Sequence, residues 1–251
     1  MGMLDFLFGD KQAQQSKKLE SLRKKLTNIW MQPPDRYQAA DQLLELASPE
    51  AVRALLERFK VNISNTTYDI EEKQYLCDRL VTLGEPVVEI IKEAVRKEEI
   101  QVNWPMRVLE DLLPSADMAA FIQELLASMT LDYMRDPEKK EQLILRATTY
   151  KDFEELAREV ARFAADDNEG IRFQTVSQVV TRDTDWAAEA LRKNLRVEDS
   201  GRVMALSCQW FVEHPAFVAA ADMGDIQEVM RLRDVLPREY VLTDTGHLRR
   251  R

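Results

Sequence analysis

Five times along this chain three apolar residues recur with one internal spacing, the second three and the third seven positions after the first. They are Val52/Leu55/Phe59, Val88/Ile91/Val95, Met118/Phe121/Leu125, Phe153/Leu156/Val160 and Ala188/Leu191/Leu195. Positions i, i+3 and i+7 fall on one stripe of a 3.6-residue period, whereas a half-buried strand alternates at every second residue. The first members are 36, 30, 35 and 35 residues apart. Recurrence at such a period marks repeated units that cannot bury their stripes alone and must stack on their neighbours.

Each triplet has a forerunner. Leu44, Leu80, Leu145 and Val180 stand eight residues before the first members of their triplets, at the end of a preceding apolar-periodic run. The third unit departs from this register, with Glu110 in that place and Leu109 one residue off, and reads as a shortened repeat. Between the two runs lie Ser48-Pro49-Glu50, Gly84-Glu85-Pro86, Pro114-Ser115-Ala116-Asp117 and Asp183-Thr184-Asp185. Ser, Thr or Asp caps the unpaired amides that open a helix, and Pro is tolerated in its first turn. Each unit therefore reads as two antiparallel helices. Polar links at residues 62–67 and 165–168 separate successive units.

Two first helices open on an acidic residue followed by arginine, in Asn168-Glu169-Gly170-Ile171-Arg172 and Asp199-Ser200-Gly201-Arg202-Val203. Met106-Arg107-Val108 retains the arginine, and Glu71-Glu72-Lys73 follows the pattern loosely. In these openings and in its paired helices the chain resembles the HEAT and armadillo-like repeat family, over about residues 35–215. The resemblance implies an all-α fold, an α-α superhelix with a right-handed turn, built as a solenoid of about five to six helical hairpins. Residues 1–34 then form an N-terminal amphipathic or capping helix, residues 35–215 the repeats, and residues 216–251 a C-terminal cap and basic tail.

Composition fits this picture. With 251 residues, seven Gly and 31% charged residues the chain suits one elongated helical domain. Cys77 and Cys208 lie far apart in apolar runs, without disulfide or metal spacing, and read as buried reduced thiols of a cytoplasmic protein. No stretch approaches the ~20 apolar residues of a membrane span. The opening Met3-Leu4-Asp5-Phe6-Leu7-Phe8 has no basic residue before it and reads as neither a secretory signal nor a myristoylation site. After it, Lys11, Lys17, Lys18, Arg23, Lys24 and Lys25 combine with Leu19, Leu22, Leu26, Ile29 and Trp30 in an amphipathic pattern. Such a helix can cap the first repeat or make weak peripheral contact with an anionic membrane, with Phe6 and Phe8 as wedges. At the other end, Ile226, Val229 and Met230 suggest a last helix ending near Leu236-Pro237. A β-leaning segment follows, and then a basic tail expected to be disordered.

The formal charge is −9, which disfavours a duplex partner held through its phosphates. In the resembled family the second helices line the concave surface. Their positions one and five after each triplet's start are Arg53/Glu57, Glu89/Glu93, Ala119/Gln123, Glu154/Arg158 and Glu189/Lys193. This row is mixed in sign and slightly acidic, which suits a protein or peptide partner recognised through complementary charges. The same residues also read as a solvated face, since Glu154/Arg158 and Glu189/Lys193 have i,i+4 pair spacing.

Catalysis finds little support. His214 and His247 are the only histidines, so the His-Glu sets of HEAT-like di-iron hydroxylases are missing. HEAT-like bilin lyases lack a strong motif to compare. HEAT-like alkylpurine DNA glycosylases place aromatic and carboxylate residues in a concave cleft, for which Trp104, Trp186 and Trp210 with Asp111, Asp183 or Asp185 are nominal counterparts. Packing accounts equally well for these tryptophans. The expectation is therefore a non-catalytic scaffold or adaptor without cofactor or metal, the glycosylase-type enzyme and the membrane adaptor standing as alternatives.

Overall fold

The computed structural model describes residues 3–97, 101–220 and 226–251, with the side chains of 14–97, 101–220 and 231–251. Among these residues there are thirteen α-helices and a single two-stranded sheet. The chain divides into two compact units, Met1–Pro114 and Ser115–Arg251, at the turn between the two helices read as the third repeat.

The N-terminal unit contains α1 (Met3–Thr27), α2 (Pro33–Leu46), α3 (Pro49–Leu56), α4 (Thr66–Thr82), α5 (Val88–Arg96) and α6 (Asn103–Leu112). A 3-10 turn, Glu57–Lys60, extends α3 far enough to bring Phe59 into its stripe. The C-terminal unit contains α7 (Ser115–Ala127), α8 (Glu138–Ala147), α9 (Glu154–Ala161), α10 (Glu169–Val179), α11 (Asp185–Val197), α12 (Gly201–Glu213) and α13 (Ile226–Val235). It closes with strands β1 (Tyr240–Leu242) and β2 (Leu248–Arg250).

Local chemistry sets the helix ends. Ser48 Oγ accepts from Ala51 N at 3.2 Å with Pro49 behind it, and Asn65 Oδ1 accepts from Tyr68 N at 3.2 Å. The Thr184 hydroxyl accepts from Ala187 N at 3.3 Å. Each bond satisfies one amide that the first turn of a helix leaves without a partner. Gly84, at φ 71°, turns the chain between α4 and α5 in a region that disfavours a Cβ.

Within each unit, helices pack on the second helix along the chain. In the N-terminal unit α2 meets α4, α4 meets α6 and α3 meets α5; in the C-terminal unit α7 meets α9, α8 meets α10, α9 meets α11 and α10 meets α12. That is the neighbour pattern of hairpins laid side by side. The triplets form the seam. Fourteen of their fifteen residues are buried, and Phe153, which precedes α9, is half-buried. Each fully buried Leu, Ile or Phe contributes ~1.5–3 kcal/mol relative to exposure.

Three sequence expectations need correction. Leu145 is not a core residue but 55% exposed, because Leu143, Ile144 and Ala147 form the inward stripe of α8 and Leu145 lies off it. Leu22 and Leu26 are buried, and α1 packs on α2 and α3, but the helix stops at Thr27 and leaves Trp30 87% exposed. The side chains of Phe6, Phe8 and Lys11 lie outside the described residues. The C-terminal segment is ordered as a hairpin rather than a tail. Leu242 pairs with Leu248 and Tyr240 with Arg250, and Tyr240, Leu242 and Leu248 are buried in the core around Cys208 and Trp210. Gly246, at φ 78°, makes the turn and accepts from Ala220 N at 3.1 Å. The last helix, α13, ends where expected; the side chains of Ile226, Val229 and Met230 lie outside the described residues.

Buried charges tie the hairpins together. In the N-terminal unit Arg36 of α2 holds Glu72 of α4 at 2.6 Å, and Arg58 reaches Glu72 at 3.1 Å and Asp69 at 2.7 Å. Lys73 adds a contact to Asp69 at 2.7 Å and donates to Asn62 at 2.7 Å. In the C-terminal unit Lys140 of α8 meets Asp166 at 2.6 Å with both side chains fully buried, and also donates to Thr130 O at 2.9 Å. Arg172 of α10 reaches Glu198, just after α11, at 2.8 Å and donates to the backbone oxygens of Asp166 and Asp167. Cys77 and Cys208 are buried free thiols, pushed up to about 12 chiefly by burial.

Glu198 gives a pH signature. Burial opposes its ionisation, but hydrogen bonds from Arg172, Ser200 N and Asn194 outweigh it and hold the carboxyl below its ordinary 4.5. A carboxyl depressed in the folded state stabilises above its unfolded pKa and loses that contribution as pH falls through the folded value. Urea denaturation at pH 7 and at successive steps below pH 4.5 should show a stability loss that is shallower in Glu198→Gln. Parallel acid limbs in the two proteins would contradict this.

Candidate functional site

The residues anticipated on the second helices are largely exposed and pair with their neighbours. On α3 and α5, Arg53 reaches across to Glu93 at 3.2 Å, and Glu93 also meets Lys97 at 2.8 Å. These two cations hold the Glu93 carboxyl below its ordinary value, Lys97 more than Arg53. Glu57 meets Lys60 at 2.6 Å and Arg23 of α1 at 3.9 Å, while Glu89 meets Lys92 at 3.3 Å and Arg96 at 3.8 Å. A shallow depression of about 100 Å³ runs between Arg53, Glu57, Lys60 and Glu93.

In the C-terminal unit Glu154 pairs with Arg158 at 2.5 Å on α9, and Glu189 with Lys193 at 2.7 Å on α11. Their i,i+4 spacing produces these contacts directly. Lys193 lowers the Glu189 pKa, and Glu154 raises that of Arg158. Gln123 of α7 is half-buried. The structure thus brings Arg53 and Glu93 together between α3 and α5, sets Glu57 between Lys60 of its own turn and Arg23 of α1, and satisfies the remaining pairs within single helices.

The tryptophans considered for base recognition do other work. Trp104 stacks on Phe59 with ring centres 6.5 Å apart, inside the N-terminal unit. Trp210 is buried in the C-terminal core, edge-on to Phe211 and stacked on His214 at 4.4 Å, and its indole N–H donates to Arg182 O at 3.0 Å. Asp111, Asp183 and Asp185 are exposed. Among the described residues no group of three His, Cys, Asp or Glu is placed to hold a metal ion, and no helix is long and apolar enough to cross a membrane.

The C-terminal unit also holds a concavity apart from the charged row. It is a cavity of about 430 Å³ in the C-terminal unit, walled by α8, α9, α10 and the start of α11. Leu145, Ala157, Val160, Phe173 and Val179 supply hydrocarbon. Several polar side chains in the wall direct their polar atoms elsewhere. Thr148 Oγ1 donates to Leu145 O, Ser177 Oγ to Phe173 O and Thr181 Oγ1 to Gln178 O, each at 2.7 Å, and Gln178 Nε2 donates to Ile144 O at 2.8 Å. What remains facing the cavity is dominated by methyl and methylene groups. Two buried polar atoms of wall residues, Gln174 Oε1 and Trp186 Nε1, have no hydrogen-bond partner. Lys151 and Arg182 complete the lining, brought together by a hydrogen bond from the Arg182 guanidinium to Lys151 O.

The sequence did carry one trace of this cavity: Leu145 and Phe173 are large apolar residues that lie outside the five triplets. No family model, no curated protein and no solved structure matches the chain.

The position of Leu145 is directly testable. Because it lines a cavity and not the core, Leu145→Ser should change unfolding free energy by no more than about 0.5 kcal/mol, as surface substitutions do. Ile144→Ala, at a fully buried neighbour, should cost ~2–5 kcal/mol. Urea melts of both variants decide it; equal losses would put Leu145 in the core.

Proposed function

We propose that this chain is a HEAT-like helical-repeat scaffold, a right-handed α-α superhelix of stacked hairpins, that binds a protein partner along its second helices. The observation that carries the reading is the division of labour on those helices. Their triplets are spent on packing, while Arg53, Glu89, Glu154, Arg158, Glu189 and Lys193 stand exposed on the same elements. A rigid support that holds a row of mixed charges in water suits recognition through many modest contacts. Ion pairs between exposed side chains are weak in water, so exchanging them for a partner's charges costs little.

The buried charge pairs suit the same reading: Arg36 and Arg58 hold the α2/α3 hairpin against α4, Lys140 and Arg172 hold α8 and α10 to the links that follow α9 and α11, and none of them uses the exposed row. Packing occupies Trp104 and Trp210, and Trp186, the remaining tryptophan of the glycosylase-type alternative, is half-buried in the wall of the C-terminal unit's cavity.

Affinity capture with the full chain, followed by quantitative identification of the captured proteins, tests the proposal. Reversal of Glu57 and Glu89 to Lys, or of Glu154 and Glu189 to Lys, should sharply lower the yield of the same partner while leaving helicity unchanged. Capture of the same proteins at the same yield by both variants would show that this row is not the recognition surface.

A further inference from the structure

The cavity of the C-terminal unit is not used by the proposed scaffold surface, and its chemistry specifies a different kind of ligand. We infer that it binds a single-chain anionic amphiphile, an unesterified fatty acid by chemical class, with the alkyl chain between α8, α9 and α10 and the carboxylate at Lys151 and Arg182.

The wall argues for the chain. Phe173, Val160, Val179 and Leu145 present hydrocarbon, and the hydroxyls of Thr148, Ser177 and Thr181 are occupied by main-chain oxygens of their own segments. Apart from Gln174 Oε1 and Trp186 Nε1 a polar ligand would find few partners there, and burying polar groups without them is unfavourable. Leu145 is a large aliphatic side chain held 55% exposed at this wall, and an alkyl chain laid against it would remove that surface from water.

Size argues for one chain. The cavity measures about 430 Å³. A methylene group takes up roughly the volume of a water molecule, about 30 Å³, so one chain of about twelve carbons with its carboxylate matches the space.

The lining cations argue for the charge. Arg36, Arg58, Lys140 and Arg172 each hold a buried carboxylate. Lys151 and Arg182 differ from them. Among the described residues neither has a carboxylate partner, although both line the same cavity. Arg182 is also held in place, by its own guanidinium bond to Lys151 O and by the bond from Trp210 Nε1 to its carbonyl. Guanidinium and ammonium groups beside an apolar slot suit an anionic head, and hydrogen bonds to a charged acceptor are the stronger kind. Asp152 and Asp183, their sequence neighbours, are exposed and not part of the lining.

Isothermal titration of the purified full chain with sodium dodecanoate below its micellar concentration tests the site, with dodecan-1-ol as the neutral match. Dodecanoate should bind with one-to-one stoichiometry and about tenfold more tightly than the alcohol, the ratio expected for a charge-assisted hydrogen bond. The double variant Lys151→Gln/Arg182→Gln should reduce dodecanoate to the affinity of the alcohol. Thr148→Trp, an exposed position in the lining, should narrow the cavity and weaken binding of both without loss of helicity by circular dichroism.

Equal affinity for the acid and the alcohol would overturn the assignment of an anionic head. Absence of binding, or binding unaltered by Thr148→Trp, would overturn the site. Co-sedimentation with phosphatidylglycerol vesicles separates the two sources of an acylated anion: vesicle binding that requires Lys151 and Arg182, without dodecanoate binding, would overturn the free fatty acid. None of these results depends on the charged row of the second helices, so the scaffold reading can fail or stand independently.

Discussion

Charge removed from water is the constraint on which the hairpin arrangement rests. Moving an ion into a protein interior costs several kcal/mol even after relaxation, and the cost is recovered only when a partner and further hydrogen bonds meet it in good geometry. Lys140 and Asp166 are both fully buried, and Arg58 is fully buried with Glu72 and Asp69 around it. The hydrophobic stripes of neighbouring hairpins are chemically alike, so apolar burial alone discriminates weakly between one register and another. A slip of the α2/α3 hairpin along α4 would separate Arg36 and Arg58 from Glu72 and leave buried charges unmatched. The ion pairs therefore select the register that the apolar seams stabilise.

This arrangement leaves the outside of the second helices free of structural duty. Their inward triplets and the buried charges hold each unit together, and the exposed pairs such as Glu154 with Arg158 contribute little to that. The cavity lies where α8 ends at Ala147 and the 3-10 turn Thr148–Tyr150 follows, between α8, α9 and α10. Leu145 and Phe173 then border a space instead of filling the core.

Much of the helical organisation was legible because the apolar period is local information. Leu55, Ile91, Phe121 and Leu156 are buried as their spacing requires, and Ser48 and Thr184 open helices as their chemistry suggests. The errors arose where tertiary contacts decide. Leu145 stands eight residues before Phe153, but the buried stripe of α8 runs through Leu143, Ile144 and Ala147, so Leu145 faces outward. Lys140 sits in Glu138-Lys139-Lys140-Glu141, a string that reads as solvated, and Asp166, 26 residues later, together with the Thr130 carbonyl makes its burial tolerable. The basic C-terminal end concealed a strand because the alternation of Leu248 and Arg249 is too short to register as a pattern. The candidate charged row was readable from helix phase alone, whereas the cavity draws on residues of four helices, and Leu145 and Phe173, apolar residues outside the triplets, were its one trace.

A double-mutant cycle on Lys140 and Asp166 examines the central claim most directly. Lys140→Ala and Asp166→Ala should each cost ~3–5 kcal/mol in urea unfolding, because each leaves a buried charge alone. The double variant should cost less than their sum, by ~1–3 kcal/mol, since neither charge is then stranded. Losses that add to within about 0.5 kcal/mol would show two independent side chains and contradict a register set by paired buried charge.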